Sequence, residues 1–284
     1  MSQIQDWKLA FIGGGNMGSA IIGGLLAQKA LPASNIVVSE PWDVNRQKIE
    51  SAHGVRTIIS NVEATKDADA LVLAVKPQVA KAVCQELATS WAGRETLPLI
   101  VSIAGGITLK SLGEWFTVDG TRKPKVVRVM PNTPALVGEG ACGAIAGEGI
   151  SEEEKAKVDV LLQAFSKVVE WVDREELIDV VTGLSGSGPA YFFAMVEHMV
   201  ASAVALGMPQ EQAERLAKQT CLGAGKMLVE QSESPAQLRI NVTSPNGTTQ
   251  AALESFNASD FQGVVHKAVK AATDRAEELG KILG

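Results

Sequence analysis

The run Gly13-Gly14-Gly15-Asn16-Met17-Gly18 leaves this chain few choices of fold, because a short apolar stretch, Lys8 to Ile12, precedes it and a helical pattern, Ser19 to Lys29, follows. Glycines spaced as GxGxxG between a strand and a helix are what a βαβ unit needs to carry a dinucleotide. The first permits the tight turn, the second lets a pyrophosphate approach the backbone, and the third lets the helix pack on the strand. The helix start adds unpaired N–H groups and partial positive charge. Gly13, Gly15, Asn16, Met17 and Gly18 are therefore candidate cofactor-binding residues. The glycines alone would also suit a plain turn; the flanking strand and helix favour the nucleotide.

The next segments repeat the alternation. Asn35 to Ser39 reads as a second strand ending at Ser39 and Glu40, about twenty residues past Gly18, where such folds read the adenosine ribose. An acidic side chain there bonds the ribose hydroxyls of NAD and repels a 2′-phosphate, which Arg46 would offset; a solvated strand-end Glu is the plainer alternative. Ala70 to Val75, Leu99 to Ile103, Val126 to Met130 and Val168 to Val172 are further strands. Asp43 to His53, Gln78 to Thr89 and Leu109 to Phe116 have helical periodicity, and a capping box at Ser151 and Glu154 opens another helix toward Phe165. This alternation predicts an α/β fold, a Rossmann-type doubly wound parallel sheet over residues 1–173. Ligands of such sheets bind at the carboxyl ends of strands, here Lys76-Pro77, Ala104-Gly105-Gly106 and Pro131-Asn132-Thr133-Pro134.

From residue 174 to 284 the pattern is all helix: Glu175 to Val181, Ala190 to Leu206, Pro209 to Glu230, Pro235 to Val242, Thr248 to Phe256 and Ser259 to Leu283. Two stretches of small residues are expected as loops, Gly183 to Pro189 and Thr243-Ser244-Pro245-Asn246-Gly247-Thr248-Thr249. In the second, Pro245 pushes Ser244 into an extended conformation, and Asn246 and Gly247 tolerate positive φ. Hydroxyls beside the N–H groups of a helix beginning near Thr248 suit a carboxylate. The same residues suit an ordinary cap.

Composition removes other classes. A net charge of −6 argues against a nucleic-acid or anionic-membrane surface. The cysteines Cys84, Cys142 and Cys221 are odd in number and scattered, which suits reduced thiols and a cytoplasmic location, and no cluster of metal ligands is present. The polar start and the break at Gly13 give no signal-peptide pattern. Ala190 to Met208 carries Glu197 and His198 in mid-span and reads as a helix buried in protein, apolar on nearly every face.

A dinucleotide domain followed by a helical one implies hydride transfer. The histidines are His53, His198 and His266, all within helices, where packing is the commoner role. Alcohol oxidation wants a positioned general base. An imine relaxes that demand, because a C=N group protonates near neutral pH and needs mainly to be held, and the Thr249 hydroxyl can serve its nitrogen.

The glycine run, Ala74-Val75-Lys76-Pro77, Met130 to Pro134, Thr182 to Tyr191 and Thr243 to Thr249 together resemble the pyrroline-5-carboxylate reductases, over nearly the whole chain. The resemblance implies reduction of 1-pyrroline-5-carboxylate to L-proline with NADPH, NADH being a second reductant. It implies that Ser244, Gly247, Thr248 and Thr249 hold the pyrroline carboxylate and nitrogen, with Glu175 supporting them and Thr249 catalytic. Asn61 would contact the ribose, and Val75, Lys76, Pro77 and Ala104 would border the nicotinamide half. It further implies that the helical part is a dimerisation domain, in a homodimer able to build a larger ring such as a decamer. Asn246 stands where many relatives have glycine, and Asn also accepts positive φ. The rival, a β-hydroxyacid dehydrogenase, needs a lysine where this chain has Phe192. A cofactor-binding regulator without catalysis has no need of the 243–249 loop.

Overall fold

The computed structural model describes residues 4–283, which divide into two compact units: the chain up to Gly186 together with residues 272–283, and Ser187–Ala271. The first unit thus extends past the boundary expected at residue 173 and recovers the end of the last helix.

The first unit is an α/β sandwich. Its elements are β1 (Leu9–Ile12), α1 (Asn16–Ala27), β2 (Ile36–Ser39), α2 (Asp43–His53), β3 (Arg56–Ile58), α3 (Asn61–Thr65), β4 (Ala70–Leu73), α4 (Pro77–Ser90), β5 (Leu99–Ser102), α5 (Leu109–Trp115), β6 (Val126–Met130), β7 (Gly140–Ala146), α6 (Glu152–Gln163), β8 (Ser166–Trp171) and α7 (Glu176–Val181). They form one eight-stranded sheet in the order β3-β2-β1-β4-β5-β6-β7-β8. All neighbours are parallel except β6 and β7. The order reverses between β1 and β4, the switch point at which open sheets bind ligands.

Parallel strands covered on both faces are apolar throughout, and β1, β4 and β5 are buried at every residue. Leu9, Phe11, Val72, Val101, Val127 and Val129 meet α1 and α6 through Ile21, Ile22, Leu25, Val158, Leu161 and Leu162. Ala10, Ile12, Leu71, Leu73 and Ile100 meet the opposite layer through Ala80, Cys84, Leu87, Leu112, Trp115 and Phe116. The residues of one strand therefore alternate between two cores. Burial pushes the Cys84 thiol up to about 12 and that of Cys142 to about 11, so both are inert packing groups.

Two strands carry no clear sequence signal. β3 has only three residues, and β7 reads Gly-Ala-Cys-Gly-Ala-Ile-Ala, a composition poor in β-formers. Its small residues have a packing cause: a Cβ at Gly143 would lie 2.7 Å from the Val181 side chain, so only glycine lets α7 lie against this strand. β7 also makes the sheet mixed rather than wholly parallel.

The stretch expected as a loop from Gly183 is helical instead. After α7 the chain takes a π-helical turn over Thr182–Gly186. Thr182 and Ser185 donate their hydroxyls back to the carbonyls of Ile178 and Val181, which satisfies groups that a widened turn leaves open.

In the second unit, α8 (Gly188–Ala205) and α9 (Gln210–Glu230) form a helical hairpin, followed by α10 (Pro235–Asn241), α11 (Thr248–Ala258) and α12 (Phe261–Leu283), the last returning to the first unit from residue 272. Its own core is slight, with Val200, Ala213 and Ala217 at the hairpin seam. Phe192 and Phe193 are 61% and 68% exposed, and Met199, Leu216, Leu222 and Val229 are exposed as well. The apolar helix expected to be buried in protein is thus uncovered within a single chain. Among the described residues no helix is long and apolar enough to cross a membrane.

Candidate active site

The glycine turn is built from backbone constraints. Gly13 has φ +100°, and a Cβ there would lie 2.5 Å from the Ala74 carbonyl oxygen. Its N–H donates to Ser39 O at 2.9 Å, joining the ends of β1 and β2. A Cβ on Gly18 would lie 2.9 Å from Gly13 O, so the close helix-strand approach expected of the third glycine is present. Gly15 differs: a Cβ there would meet nothing within 4 Å. The space in front of it is open, as the approach of a pyrophosphate requires. Ser19 is the first residue to bond back, to Gly15 O, which leaves the N–H groups of Asn16, Met17 and Gly18 facing outward at the start of a twelve-residue helix. These residues fit a dinucleotide.

At the end of β2, Ser39 and Glu40 point into the protein. The Ser39 hydroxyl donates to Asn61 Oδ1 at 2.8 Å and to Ile59 O at 3.1 Å, while Asn61 Nδ2 donates to Glu86 at 2.8 Å. The Glu40 carboxylate, in a residue only 5% exposed, accepts the N–H of Gly14 at 2.9 Å and of Trp42 at 3.1 Å. It fastens the glycine turn to the end of β2. Arg46 is also committed, donating to the carbonyls of Glu40 and Pro41 and to Asp43. Sequence spacing placed these residues at the carboxyl edge of the sheet but could not show that their polar atoms bond one another.

Across the switch point, Val75 is half-buried and Lys76 exposed, and Lys76 caps α4 with Pro77 at its first turn. Proline suits that place because its missing N–H would have no helical partner. Ala104 is buried past the end of β5. The 131–134 corner is held by Asn132, which donates to Ser185 O at 3.1 Å and accepts the Ala141 N–H at 2.9 Å.

Glu175 belongs to this unit and has two partners in it, the N–H of Leu109 and Nη1 of Arg128, each at 2.7 Å. Arg128 is 5% exposed and also reaches Asp179 at 3.5 Å. Burial raises the Asp179 carboxyl above its ordinary value; Arg128 opposes that rise, and the charges of Glu175 and Glu277 add to it. Sequence reasoning missed this cluster, although an arginine in the middle of Val-Val-Arg-Val-Met was a signal, since a charged side chain among buried strand residues needs a partner.

In the second unit the 243–249 loop turns as its sequence predicts. Asn246 has φ +59°. Gly247 donates to Ser244 O at 3.0 Å, and Asn246 N–H to Gln250 Oε1 at 2.8 Å. Gly247 then caps α11 without any side-chain bond, and Thr248 is its first residue. Among the described residues no hydrogen bond engages the hydroxyls of Ser244, Thr248 or Thr249, and Ala251 is the first to bond back, to Gly247 O. The loop thus carries hydroxyls and helix-start N–H groups with no partner among the described residues. Among the described residues no group of three or more His, Cys, Asp or Glu side chains is arranged to hold a metal ion.

Comparison with known proteins agrees in both halves. Residues 8–106 match the family described as NADP oxidoreductase coenzyme F420-dependent, and residues 175–279 match pyrroline-5-carboxylate reductase dimerisation. A pyrroline-5-carboxylate reductase of Pseudomonas aeruginosa is 46% identical over 277 residues, 98% of each chain. Among solved structures, a pyrroline-5-carboxylate reductase from Coxiella burnetii aligns with TM-score 0.88 and 37% identity, over 96% of this chain and 98% of that one. A Plasmodium falciparum pyrroline carboxylate reductase with NADP bound aligns with TM-score 0.82 and 29% identity, over 97% of this chain and 99% of the other. With identity of this level running through both the glycine turn and the helical half, the chain belongs to the pyrroline-5-carboxylate reductase family.

Proposed function

We propose that this protein reduces the C=N bond of 1-pyrroline-5-carboxylate to give L-proline, taking hydride from NADPH or, less readily, from NADH. The observation that carries the reading is the free set of hydroxyls and N–H groups at Ser244 to Thr249, in a chain whose glycine turn fits a dinucleotide. Gly13, Gly15, Asn16, Met17 and Gly18 hold the pyrophosphate, Ser39 and Asn61 border the ribose, and Glu40 keeps the turn in place beneath it. Val75, Lys76, Pro77 and Ala104 flank the nicotinamide half, whose reduced form supplies the hydride. Ser244, Gly247 and Thr248 hold the substrate carboxylate. Thr249 donates a hydrogen bond to the ring nitrogen, which takes its proton from water as the adjoining carbon gains the hydride. Glu175 supports the site from a distance, by fixing Arg128 and the start of α5.

Residues 1–173 serve the dinucleotide, and residues 174–284 dimerise and carry the substrate loop. The uncovered apolar surface of α8 and α9 supports a partner of the same kind, because a soluble chain rarely leaves so large an apolar face in water. Each site is then completed by two subunits, and dimers assemble further into a ring such as a decamer. The protein works in the cytoplasm, which its free cysteines suit. Mixing the protein with NADPH and 1-pyrroline-5-carboxylate tests the activity: the reduced-nicotinamide absorbance falls and proline accumulates. Bound cofactor that stays reduced in the presence of the imine overturns the reading.

A further inference from the structure

Trp42 is 71% exposed at the carboxyl edge of the sheet, on the turn between β2 and α2. Large aromatic side chains are usually well buried, so an indole held out in water is informative where its backbone is fixed. That backbone is fixed: its N–H donates to Glu40 Oε1, its carbonyl accepts the N–H of Arg46 at 3.0 Å, and Pro41 precedes it. The rigid turn presents the ring without giving it a core to join.

The neighbouring loop at this edge is apolar too. Ile59, just past β3, is 66% exposed, and the strand ends are joined because Glu40 N–H donates to Ile58 O at 3.0 Å. Ile59 lies beside the ribose-side polar pair, since the Ser39 hydroxyl bonds both Ile59 O and Asn61. Two exposed apolar side chains thus stand on adjacent loops at the edge where the fold puts the adenosine end of a dinucleotide. The Glu40 carboxylate is engaged by backbone N–H groups, and Arg46 by the carbonyls of Glu40 and Pro41 and by Asp43, so neither is left over to grip the base by charge.

We propose that Trp42 is the adenine platform of this enzyme, its indole stacking on the base beside the apolar Ile59 loop. The assignment rests on reading this edge as the NAD(P)H site. Stacking does not depend on the 2′ substituent, so Trp42 raises affinity for NADPH and NADH together and leaves discrimination between them to other groups.

The test is calorimetric titration of the intact protein with NADPH, with AMP and with reduced nicotinamide mononucleotide, which lacks the adenosine half. Trp42→Ala is expected to raise Kd for NADPH and AMP by about tenfold, equivalent to about 1.4 kcal/mol, and to leave Kd for the mononucleotide unmoved. Trp42→Phe keeps a stacking ring and recovers most of the loss. AMP is also expected to change the indole emission of the natural protein and not that of Trp42→Phe, a readout that stands if Trp42→Ala does not fold. Equal AMP affinity in Trp42→Ala and the natural protein overturns the proposal, as does an equal loss for the mononucleotide. A protein that binds AMP through Trp42 yet reduces no pyrroline carboxylate counts against the reductase reading alone.

Discussion

At the end of β2 the Glu40 carboxylate already accepts two backbone N–H bonds, so it is expected to affect cofactor choice less than an acidic residue at this position implies on spacing alone. Glu40→Gln removes the charge from both bonds, and hydrogen bonds to charged groups contribute about 1.5–3 kcal/mol. The expected result is a KM raised roughly tenfold or more for NADPH and NADH alike, with their ratio moved by less than about threefold. A large shift of that ratio toward NADPH in steady-state kinetics would show that the carboxylate addresses the ribose after all. Thr249 is proposed to act on the chemistry instead. One hydrogen bond to a developing charge in a dry site contributes about 2–4 kcal/mol, so Thr249→Val should lower kcat/KM by about a hundredfold while Kd for NADPH stays put. An unchanged kcat/KM would remove Thr249 from the mechanism.

Two contacts between elements have consequences that can be measured as stability. Arg128 joins β6 to Glu175 and Asp179 at the start and within α7, and it is nearly inaccessible to water. Arg128→Ala strands two carboxylates in a partly dry site and should cost about 3–5 kcal/mol in urea unfolding. Replacing the three together, Arg128→Met with Glu175→Gln and Asp179→Asn, should recover most of that loss, because the penalty comes from unpaired charge. A single variant as stable as the natural protein would show that the cluster does not anchor α7. The second contact joins α1 to α2, where His53 Nε2 lies 2.8 Å from the Ser19 hydroxyl. Burial lowers the His53 pKa, so the folded state resists protonation while the unfolded chain titrates near its ordinary value of about 6.5. Between the lowered value and about 6.5 the unfolded chain binds more protons, and stability therefore falls as pH drops through that window. His53→Gln keeps a partner for Ser19 and should flatten this part of the Tm-against-pH curve. A curve unchanged by the substitution would place the pH dependence elsewhere.

For the whole molecule the decisive question is how many chains make one site. A mixture of a Gly15→Trp chain, dead for cofactor, with a Thr249→Val chain, poor in chemistry, should regain activity on subunit exchange, since one chain type supplies an intact cofactor turn and the other an intact substrate loop. No recovery despite proven exchange would show that each chain builds its own site. Much of the fold was readable beforehand. The GxGxxG run and the alternation of apolar strands with amphipathic helices follow from local φ/ψ limits and from the need to bury both faces of a sheet, so the sequence alone determined the α/β class, the glycine cradle, and the Asn246 turn with its helix start at Thr248. Other features lie in contacts between residues far apart in the chain. The strand Gly140–Ala146 comes from pairing with β6 and β8 and its Gly143 from close packing against Val181, the helical course of Thr182–Gly186 is supported by hydroxyls bonding back to carbonyls, and the commitment of Glu40, Arg46 and Glu175 comes from donors and acceptors that the folded chain brings to them. Periodicity reports which face of an element is apolar, but only the tertiary structure decides which polar atoms meet, because a hydrogen bond is set by positions in space and not by spacing along the chain.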